Sequence, residues 1–439
     1  MTAVPGPAKA APAHFDLIGV GFGPSNLALA IALDDVERHT GSGATHHFVE
    51  KQDRFTWHGG MLLPDSDMQI SFMKDLVSLR NPTSPFTFIN YLHVKGRLEA
   101  FINQKTFFPS RIEFNDYLSW VAGHFDAQCS YGEEVLSIAP EPLRNGVDSL
   151  RVISRNLSGY EVVRRTDNLA IAVGGAPQIP ETFRPLAGDA RVFHSAHYLA
   201  RIAGLNLTSA AGTRIAVIGG GQSAAEIVLD LLVRFPKLAV DMIFRGYALK
   251  PSDDTPFVNE IFDPEFISFI FSQPESRRRD FLKEFRNTNY AVVDGDLIQK
   301  LYGILYQQRV GGPKRLRLQS SSEILAVAAE PGGIALSIKD GIGGTAAVRH
   351  YDAVVLATGY ERDSCRALLA QVEPYIEDFS VDRRYRLRTR GDFRPQIYVQ
   401  GHSETSHGLS DTLLSVLSIR SQEIAESMLS ARKLQSVQA

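Results

Sequence analysis

Two glycine-rich turns, about two hundred residues apart, constrain the fold of this chain more than any other feature. Each turn follows an apolar run typical of a β-strand, at 15–20 and at 214–218, and begins a segment with helical spacing. A strand, a glycine turn and a helix in this order form the context in which such a turn binds a dinucleotide. The turn residues predicted to contact a cofactor are Gly19, Gly21, Gly23 and Pro24 in the first turn, and Gly219, Gly220, Gly221, Gln222 and Ser223 in the second.

The chemistry of a pyrophosphate explains why glycines and a helix are needed together. Glycine allows a tight turn and a close approach of the backbone, and the following helix directs its free N–H groups at the anion. In both turns the third glycine of the usual pattern is replaced, by Pro24 and by Ala224. Alanine is an accepted variant, and proline suits the first helical turn. Two such sites in one chain predict a flavin enzyme that takes electrons from a nicotinamide.

The residue that ends the next strand separates the two ligands. The run 46–50 ends in Glu50, whose carboxylate can accept hydrogen bonds from a ribose hydroxyl, as expected for FAD. The run 240–244 is followed by Arg245, and a guanidinium at this place favours the 2′-phosphate of NADPH over NADH. Arg245 could instead be a solvated loop cation. The first site is therefore predicted to bind FAD and the second NADPH.

Composition excludes several other classes of protein. A net charge of −3 gives no electrostatic reason to expect nucleic acid or an anionic membrane as a partner, and no apolar run is long enough to span a bilayer. The two cysteines, Cys129 and Cys365, are too isolated for a disulfide framework or a dithiol redox centre, and no metal-ligand cluster is visible. The Ala/Pro-rich start lacks the features of a secretion signal, so we expect a disordered tail in a cytoplasmic protein.

The order of these segments predicts an α/β fold with two Rossmann-like dinucleotide-binding domains and a smaller, mostly helical substrate-binding region. An apolar run that breaks at Gly174-Gly175 marks the exit from the first domain, and the run 352–360 mirrors it and should return the chain there. The predicted boundaries are a disordered tail at 1–14, an FAD-binding domain at 15–190 and 352–439, an NADPH-binding domain at 205–250 and 309–351, and the helical region at 251–308.

Six longer strings give the chain a family resemblance from Asp16 to about Arg420. It resembles the flavin-dependent N-hydroxylating monooxygenases of siderophore pathways, and most of all the L-ornithine N5-monooxygenases. The strings are Trp57–Gly59, Gln69–Leu76, Leu79–Pro85, Pro256–Glu260, Asn287–Tyr290 and His407–Ser415.

The resemblance implies a substrate site. Lys74 matches the lysine that binds the amino-acid carboxylate, although an isolated lysine would more often lie on a solvated helix face. Asn259 and Asn289 match asparagines that hold the substrate backbone, and otherwise would be turn residues. The residues assigned a catalytic role are Lys74, Asn289 and Ser415. Those assigned to substrate binding are Lys74, Asn259, Glu260, Phe262, Asn289, Leu413 and Ser415.

The resemblance also extends the set of cofactor contacts beyond the glycine turns. His58 alone would more often be a structural histidine, and Leu413 and Leu414 alone would be assigned to the core. The additional residues assigned to cofactor binding are Glu50, Lys51, Trp57, His58, Gln69, Val135, Arg245, Asn289, Tyr290, Ala291, Thr412, Leu413 and Leu414.

The implied reaction is hydroxylation of the side-chain amine of L-ornithine by NADPH, O₂ and FAD through a C4a-hydroperoxyflavin. The resemblance also implies a protein that self-associates, with the tetramer as one such state. L-Lysine N6-hydroxylation and diamine N-hydroxylation remain alternatives within the family, and a non-catalytic flavin redox sensor is a remote one. A Baeyer–Villiger monooxygenase is disfavoured because the segment 193–198 does not fit the string which those enzymes carry between their nucleotide motifs.

Overall fold

The computed structural model describes residues 12–41, 43–143, 146–205 and 212–438. The chain begins with β1 (Ala13–Val20), α1 (Pro24–Thr40) and β2 (His46–Val49), which confirms the first strand–turn–helix unit. Of the predicted tail, residues 1–11 lie outside the described residues. The prediction is wrong for residues 13 and 14, because β1 already pairs there with the strand that contains Arg164 and Arg165.

The first sheet is completed by strands that follow a helical layer. The helices are α2 (Phe88–Val94), α3 (Leu98–Asn103) and α4 (Arg111–Ala122), and the strands are β3 (Cys129–Ser130), β4 (Glu133–Leu143), β5 (Gly146–Asn156) and β6 (Glu161–Ile171). The short β7 (Ala176–Pro177) follows β6 and pairs outside this sheet, with residues 360 and 361. The sheet order is β3-β2-β1-β6-β5-β4. Aromatic side chains of α2 and α4 pack with Phe22 and Phe48 into one buried cluster. This cluster supports the first glycine turn, because the ring of Phe48 on the neighbouring strand β2 lies against Gly19.

A second parallel sheet surrounds the second glycine turn. Its elements begin with β8 (Val192–His194), α5 (Tyr198–Gly204), β9 (Arg214–Ile218), α6 (Gln222–Arg234) and β10 (Ala239–Ile243). The predicted strand at 214–218 is confirmed residue for residue. Apolar side chains of α6, including Ile227, Val228 and Leu231, bury its inner face against the sheet. The N-terminus of α6 therefore lies at the carboxyl end of β9, where a phosphate can bind.

A mostly helical insert follows β10, as the sequence predicts for 251–308. It contains β11 (Lys250–Pro251), α7 (Pro256–Asn259), α8 (Pro264–Ser272), α9 (Glu275–Glu284), β12 (Val292–Val293) and α10 (Gly295–Val310). The chain then adds β13 (Leu316–Gln319), the antiparallel strands β14 (Ser322–Glu330), β15 (Gly333–Asp340) and β16 (Ala346–Tyr351), and finally β17 (Ala353–Leu356). The parallel sheet has the order β13-β10-β9-β17-β8.

Two of the predicted domain boundaries need correction. β8 pairs with β17, so the second sheet already includes residues 192–194 and does not begin at 205. β17 pairs with β9 and is buried along its whole length, so residues 353–356 belong to the second sheet and not to the first. A short apolar strand has the same composition in either sheet, and its hydrogen-bond partners decide the matter.

The last part of the chain returns to the first sheet. It contains β18 (Tyr360–Glu361), α11 (Ser364–Leu368), β19 (Ile376–Val381), β20 (Leu387–Thr389), β21 (Gln396–Val399), α12 (Glu404–His407) and α13 (Leu417–Gln438). β21 pairs with the second half of β6, whereas β5 pairs with the first half. α13 packs along α1. Among the helices that the structure describes, none combines the length and apolar character needed to cross a membrane.

We expect the fold to lose stability in mild acid, because it buries two histidines in their neutral form. His194 and His407 are 3% and 1% exposed, and burial lowers the pKa of each from 6.5 to about 4. Over this pH interval the unfolded chain binds these protons and the folded chain does not, so the free energy of unfolding should fall by up to about 1.4 kcal/mol per pH unit for each histidine. Thermal unfolding across the interval measures the loss. A His194→Asn/His407→Gln variant should be less sensitive to pH, and unchanged sensitivity would contradict the assignment.

Candidate active site

The first glycine turn has the backbone geometry of a phosphate cradle. Gly21 has a φ of +81°, and a Cβ there would lie 2.7 Å from the carbonyl oxygen of Ala172. A Cβ at Gly19 would lie 2.2 Å from the ring of Phe48, whereas Gly23 faces open space. Gly23 is the N-cap of α1, and no described side chain caps this helix. The first-turn N–H groups of α1 are therefore available to an anion.

Two buried polar residues hold this turn in place. Asn26 donates from Nδ2 to the carbonyl oxygen of Gly21 at 2.7 Å and accepts a hydrogen bond from Gln400 at 2.9 Å. Glu50 accepts from the backbone N–H groups of Phe22 and Gln52 at 2.7 and 2.9 Å. The predicted acid thus lies beside the turn, as a ribose contact requires. Asn26 was not predicted, although an amide on the otherwise apolar face of α1 was a signal for it.

The second glycine turn repeats this construction. Gly219 has a φ of +149°, and a Cβ there would lie 2.3 Å from the carbonyl oxygen of Ala357. Gly221 is the N-cap of α6, and again no described side chain caps the helix. Arg245 follows β10, is exposed, and has no described carboxylate within ion-pair distance. Both turns therefore fit a dinucleotide, and the second leaves a guanidinium free for an additional phosphate.

The segment after β2 brings aromatic and polar residues to the space between the two turns. The backbone N–H of Trp57 donates to Asn115 Oδ1 at 2.8 Å, and its ring meets His58 edge-on with centroids 4.7 Å apart. His58 is exposed and has a φ of +52°, yet the protein atoms packed near its ring partly desolvate it. This desolvation, with the nearby Arg111 and Arg362 guanidinium groups, lowers the pKa of His58 to about 4. His58 is therefore neutral at physiological pH.

Residues assigned to substrate binding lie close together where the insert faces the segment after β2. Lys74 Nζ lies 3.8 Å from Asp263 Oδ1, and both side chains are partly exposed. Asn259 is exposed and donates from Nδ2 to the carbonyl oxygen of Asp254 at 2.8 Å. The turn that contains Glu260 and Phe262 packs against the segment Leu409–Thr412. The structure thus brings together Lys74, the 259–263 segment and the neighbourhood of Thr412.

The loop Asn289–Ala291 of the insert contacts both the second glycine turn and the C-terminal segment. The hydroxyl of Tyr290 donates a short hydrogen bond to the Glu404 carboxylate, and burial, followed by this contact, raises the pKa of Tyr290 to about 12. Ala291 has a φ of +59°, and its Cα would lie 3.5 Å from a Cβ at Gly221. The loop therefore lies against the second glycine turn and also contacts the C-terminal segment. Glu404 was not predicted, since only the tertiary contact identifies it.

The predicted residues of the C-terminal segment differ in how deeply they are buried. Thr412, Leu413 and Leu414 are partly buried. Leu414 also packs against the aromatic cluster, as a core residue would. Ser415 is 2% exposed, and its Oγ has no hydrogen-bond partner among the described residues. The hydroxyl of Ser415 is thus buried and unpartnered among these residues, and its role beside the substrate nitrogen stays a prediction.

Two of the residues predicted to contact FAD lie near Glu50. Lys51 is exposed directly after Glu50, and Val135 is buried within β4. The backbone N–H of Glu133 donates to the carbonyl oxygen of Glu50 at 2.9 Å, which fixes the start of β4 beside this acid. Lys51 and Val135 therefore lie near Glu50 and away from the insert.

A buried ion pair ties the C-terminal segment to the first helix. Arg420 donates to Asp411 Oδ1 at 3.0 Å and to Ser25 Oγ at 3.0 Å, and both charged side chains are enclosed. Asp411 also accepts from the backbone N–H of Ser403 at 2.6 Å. This arrangement fixes the segment 409–416 against the N-terminus of α1.

Comparison with known proteins agrees with this geometry. Residues 13–362 match the family described as L-lysine 6-monooxygenase/L-ornithine 5-monooxygenase. The chain belongs to this family. It is 52% identical to the L-ornithine N(5)-monooxygenase of Pseudomonas aeruginosa over 414 residues, which cover 94% of this chain and 93% of that protein.

Solved structures of family members extend the comparison to the fold. The ornithine hydroxylase from Pseudomonas aeruginosa superimposes with a TM-score of 0.92 at 50% identity, covering 95% of this chain and all of that one. The ornithine N-hydroxylase from Kutzneria sp. 744, described with reduced FAD, NADP⁺ and L-ornithine, gives a TM-score of 0.90 at 36% identity, covering 95% of this chain and 100% of that one. The predicted fold class is thereby confirmed.

Proposed function

We propose that this protein hydroxylates the side-chain nitrogen of L-ornithine, with FAD and NADPH as cofactors and O₂ as the oxidant. The observation that carries the proposal is the loop Asn289–Ala291, which lies against the second glycine turn and contacts Glu404 of the C-terminal segment. The same loop thus lies between the second nucleotide site and the C-terminal segment, whose residues 409–412 pack against the turn that precedes Asp263, the partner of Lys74. The names and ligands of the similar proteins support the same activity.

The two cofactors are held by different residues. The first turn, the N-terminus of α1 and Glu50 would bind the pyrophosphate and ribose of FAD, and the second turn with Arg245 would bind NADPH. When bound, reduced FAD supplies the activation of O₂ that protein side chains cannot provide. The residues Trp57, His58 and Gln69 would line the flavin, and the loop at Asn289 would hold the nicotinamide half and exclude water from the reaction.

The residues assigned to substrate binding would orient the side-chain amine of ornithine. The ammonium of Lys74 would bind the α-carboxylate of ornithine, and the loose contact with Asp263 leaves Lys74 free to exchange partners. Asn259 and Asn289 offer both donors and acceptors for the α-amino acid group. The reacting nitrogen must be uncharged, although such an amine has a pKa of about 10.4, so the site must favour loss of its proton. Neutral His58 adds no positive charge to the cleft.

The choice between ornithine and lysine rests on length. With the α-carboxylate fixed at Lys74, lysine would carry its amine one methylene too far, a difference typically worth about 1–3 kcal/mol. The test is a product assay with ornithine, lysine and putrescine side by side. Ornithine should give the hydroxylamine fastest, and an equal or faster reaction of lysine would favour the N6-monooxygenase alternative.

Arg245 provides a test of the nicotinamide site. Replacing it with alanine should weaken NADPH binding by about 1.5–3 kcal/mol, roughly 10- to 100-fold, because one charged hydrogen-bonding partner of the 2′-phosphate is lost. Binding of NADH, which lacks that phosphate, should change little. The measurement is a titration with each nucleotide, and equal losses for both would show that Arg245 is only a solvated cation.

Three further expectations complete the proposal. The enzyme would act in the cytoplasm, its O₂ would enter the cleft between the two sheets, and it would self-associate. The redox-sensor alternative predicts flavin reduction without any product from ornithine, and the product assay distinguishes it.

A further inference from the structure

A continuous polar network crosses the junction of the three parts of the chain. Arg111 of α4 makes a two-pronged ion pair with Glu226 of α6, with N–O distances of 2.9 and 2.8 Å. Gln222 donates to Glu226 at 3.0 Å and to Asp294 Oδ2 at 2.9 Å, and the backbone N–H of Asp294 returns a bond of 2.8 Å to Gln222. Gln69 donates to the other Asp294 oxygen at 3.0 Å.

The network connects the predicted flavin side with the predicted nicotinamide side. Arg111 also donates to the carbonyl oxygen of Met61, and Gln69 belongs to the same flavin-side segment. Gln222 is the first residue of α6 and directly follows the glycine turn. Asp294 precedes α10 and stands three residues beyond the loop that ends at Ala291.

The junction is enclosed by apolar packing. Arg111 and Glu226 have side chains that are only 13% and 5% exposed. Met61 and Leu63 are buried in the same core cluster as the apolar face of α6. A Cβ at Gly60 would lie 2.0 Å from the carbonyl oxygen of Ala196, so the two backbones are in close contact. This packing gives the Arg111–Glu226 pair a defined geometry, whereas the hydrogen bond between Gln69 and Asp294 lies at the exposed end of the network.

We propose that Glu226, with Arg111, and Asp294 are positioning residues that fix the second glycine turn relative to the segment 57–69 and thereby set the alignment of the nicotinamide with the flavin. This inference rests on the proposed function, because it needs a hydride donor at the second turn. Buried ion pairs often add little net stability, so their value here lies in geometry. A displacement of about 1 Å can slow a transfer step by about 100-fold.

The decisive variant removes both charges at once. Glu226→Gln alone leaves Arg111 buried without a counter-charge and should lower the thermal midpoint. The double variant Arg111→Gln/Glu226→Gln leaves no unpaired charge and should largely recover that midpoint. Anaerobic reduction of the bound flavin by saturating NADPH should nevertheless stay about 10- to 100-fold slower than in wild type. Reduction by dithionite should be unchanged. Asp294→Asn, which turns one acceptor into a donor, should slow reduction by NADPH similarly.

A second measurement does not depend on the cofactors. In the cofactor-free protein, the double variant should exchange the backbone amide hydrogens of residues 222–226 faster than wild type. The control is Arg80→Gln/Asp35→Asn, which removes an equally enclosed pair at 2.7 Å within the first part of the chain. This control should keep the wild-type rate of flavin reduction and the wild-type exchange at 222–226.

Recovery of both the thermal midpoint and the reduction rate in the double variant, with wild-type exchange at 222–226, would overturn the inference and give the pair a structural role only. A wild-type protein whose flavin is not reduced by NADPH would instead overturn the proposed function, and the exchange measurement would still decide whether the network fixes the glycine turn.

Discussion

Replacing Lys74 with alanine is expected to raise the KM for L-ornithine by about 10- to 100-fold while the flavin is still reduced by NADPH at the wild-type rate. The size follows from the loss of one charged hydrogen bond to the α-carboxylate, typically about 1.5–3 kcal/mol. The specificity of the effect follows from position, because Lys74 lies beside Asp263 of the insert and not at either glycine turn. Steady-state kinetics and anaerobic flavin reduction measure the two quantities separately.

The chain offers a close control for this variant. Lys95 makes a similar loose ion pair, with its Nζ 3.7 Å from Asp116, but it lies at the C-terminal end of α2 and has no assigned role. Lys95→Ala should leave the KM for ornithine unchanged. An unchanged KM in Lys74→Ala would remove Lys74 from the substrate site.

Gly219→Ala is expected to have the largest effect on the nicotinamide site, with NADPH binding at least about 100-fold weaker. The residue has a φ of +149°, which side chains rarely adopt, and its Cβ would lie 2.3 Å from a backbone oxygen of the adjoining strand end. The turn must therefore shift away from the position at which its N–H groups meet the pyrophosphate. The measurement is NADP⁺ titration of the flavin-loaded protein, whose FAD content should be retained.

A glycine in open space is the matched control for that substitution. Gly303 lies within α10, and nothing comes within 4 Å of a Cβ built there. Gly303→Ala should leave NADP⁺ binding unchanged and raise stability by about 0.5–1 kcal/mol, because alanine is favoured in helices. Tight NADP⁺ binding by Gly219→Ala would contradict the assignment of the second turn.

The strands and helices that form the two glycine turns could be predicted from the local pattern of apolar residues and glycines. Strand β9 agrees residue for residue with its predicted range, and the insert is mostly helical as expected. The assignment of β17 failed because a short apolar strand looks the same in either sheet, and pairing with β9 decides its place. The tail prediction overran into β1, because Ala13 and His14 are exposed and continue the composition of the preceding Ala/Pro-rich stretch.

The candidate site could be predicted only where local residue strings marked it. Lys74 and Asn289 lie in such strings, and the structure places Lys74 beside Asp263 of the insert and Asn289 within the insert itself. Asp294, Glu226 and Glu404 were missed because each makes a decisive contact with a residue distant in sequence, and a single acid has no periodicity to reveal it. Ser415 also lies in such a string, but the burial of its hydroxyl depends on packing against residues distant in sequence, which sequence patterns do not report.

The fate of dioxygen tests the central claim most directly. The purified protein, loaded with FAD and supplied with NADPH, L-ornithine and isotopically labelled O₂, should give hydroxyornithine that carries one labelled oxygen on its side-chain nitrogen. Without ornithine, no hydroxylamine should form. NADPH consumption that yields only peroxide, equally with and without ornithine, would contradict the account.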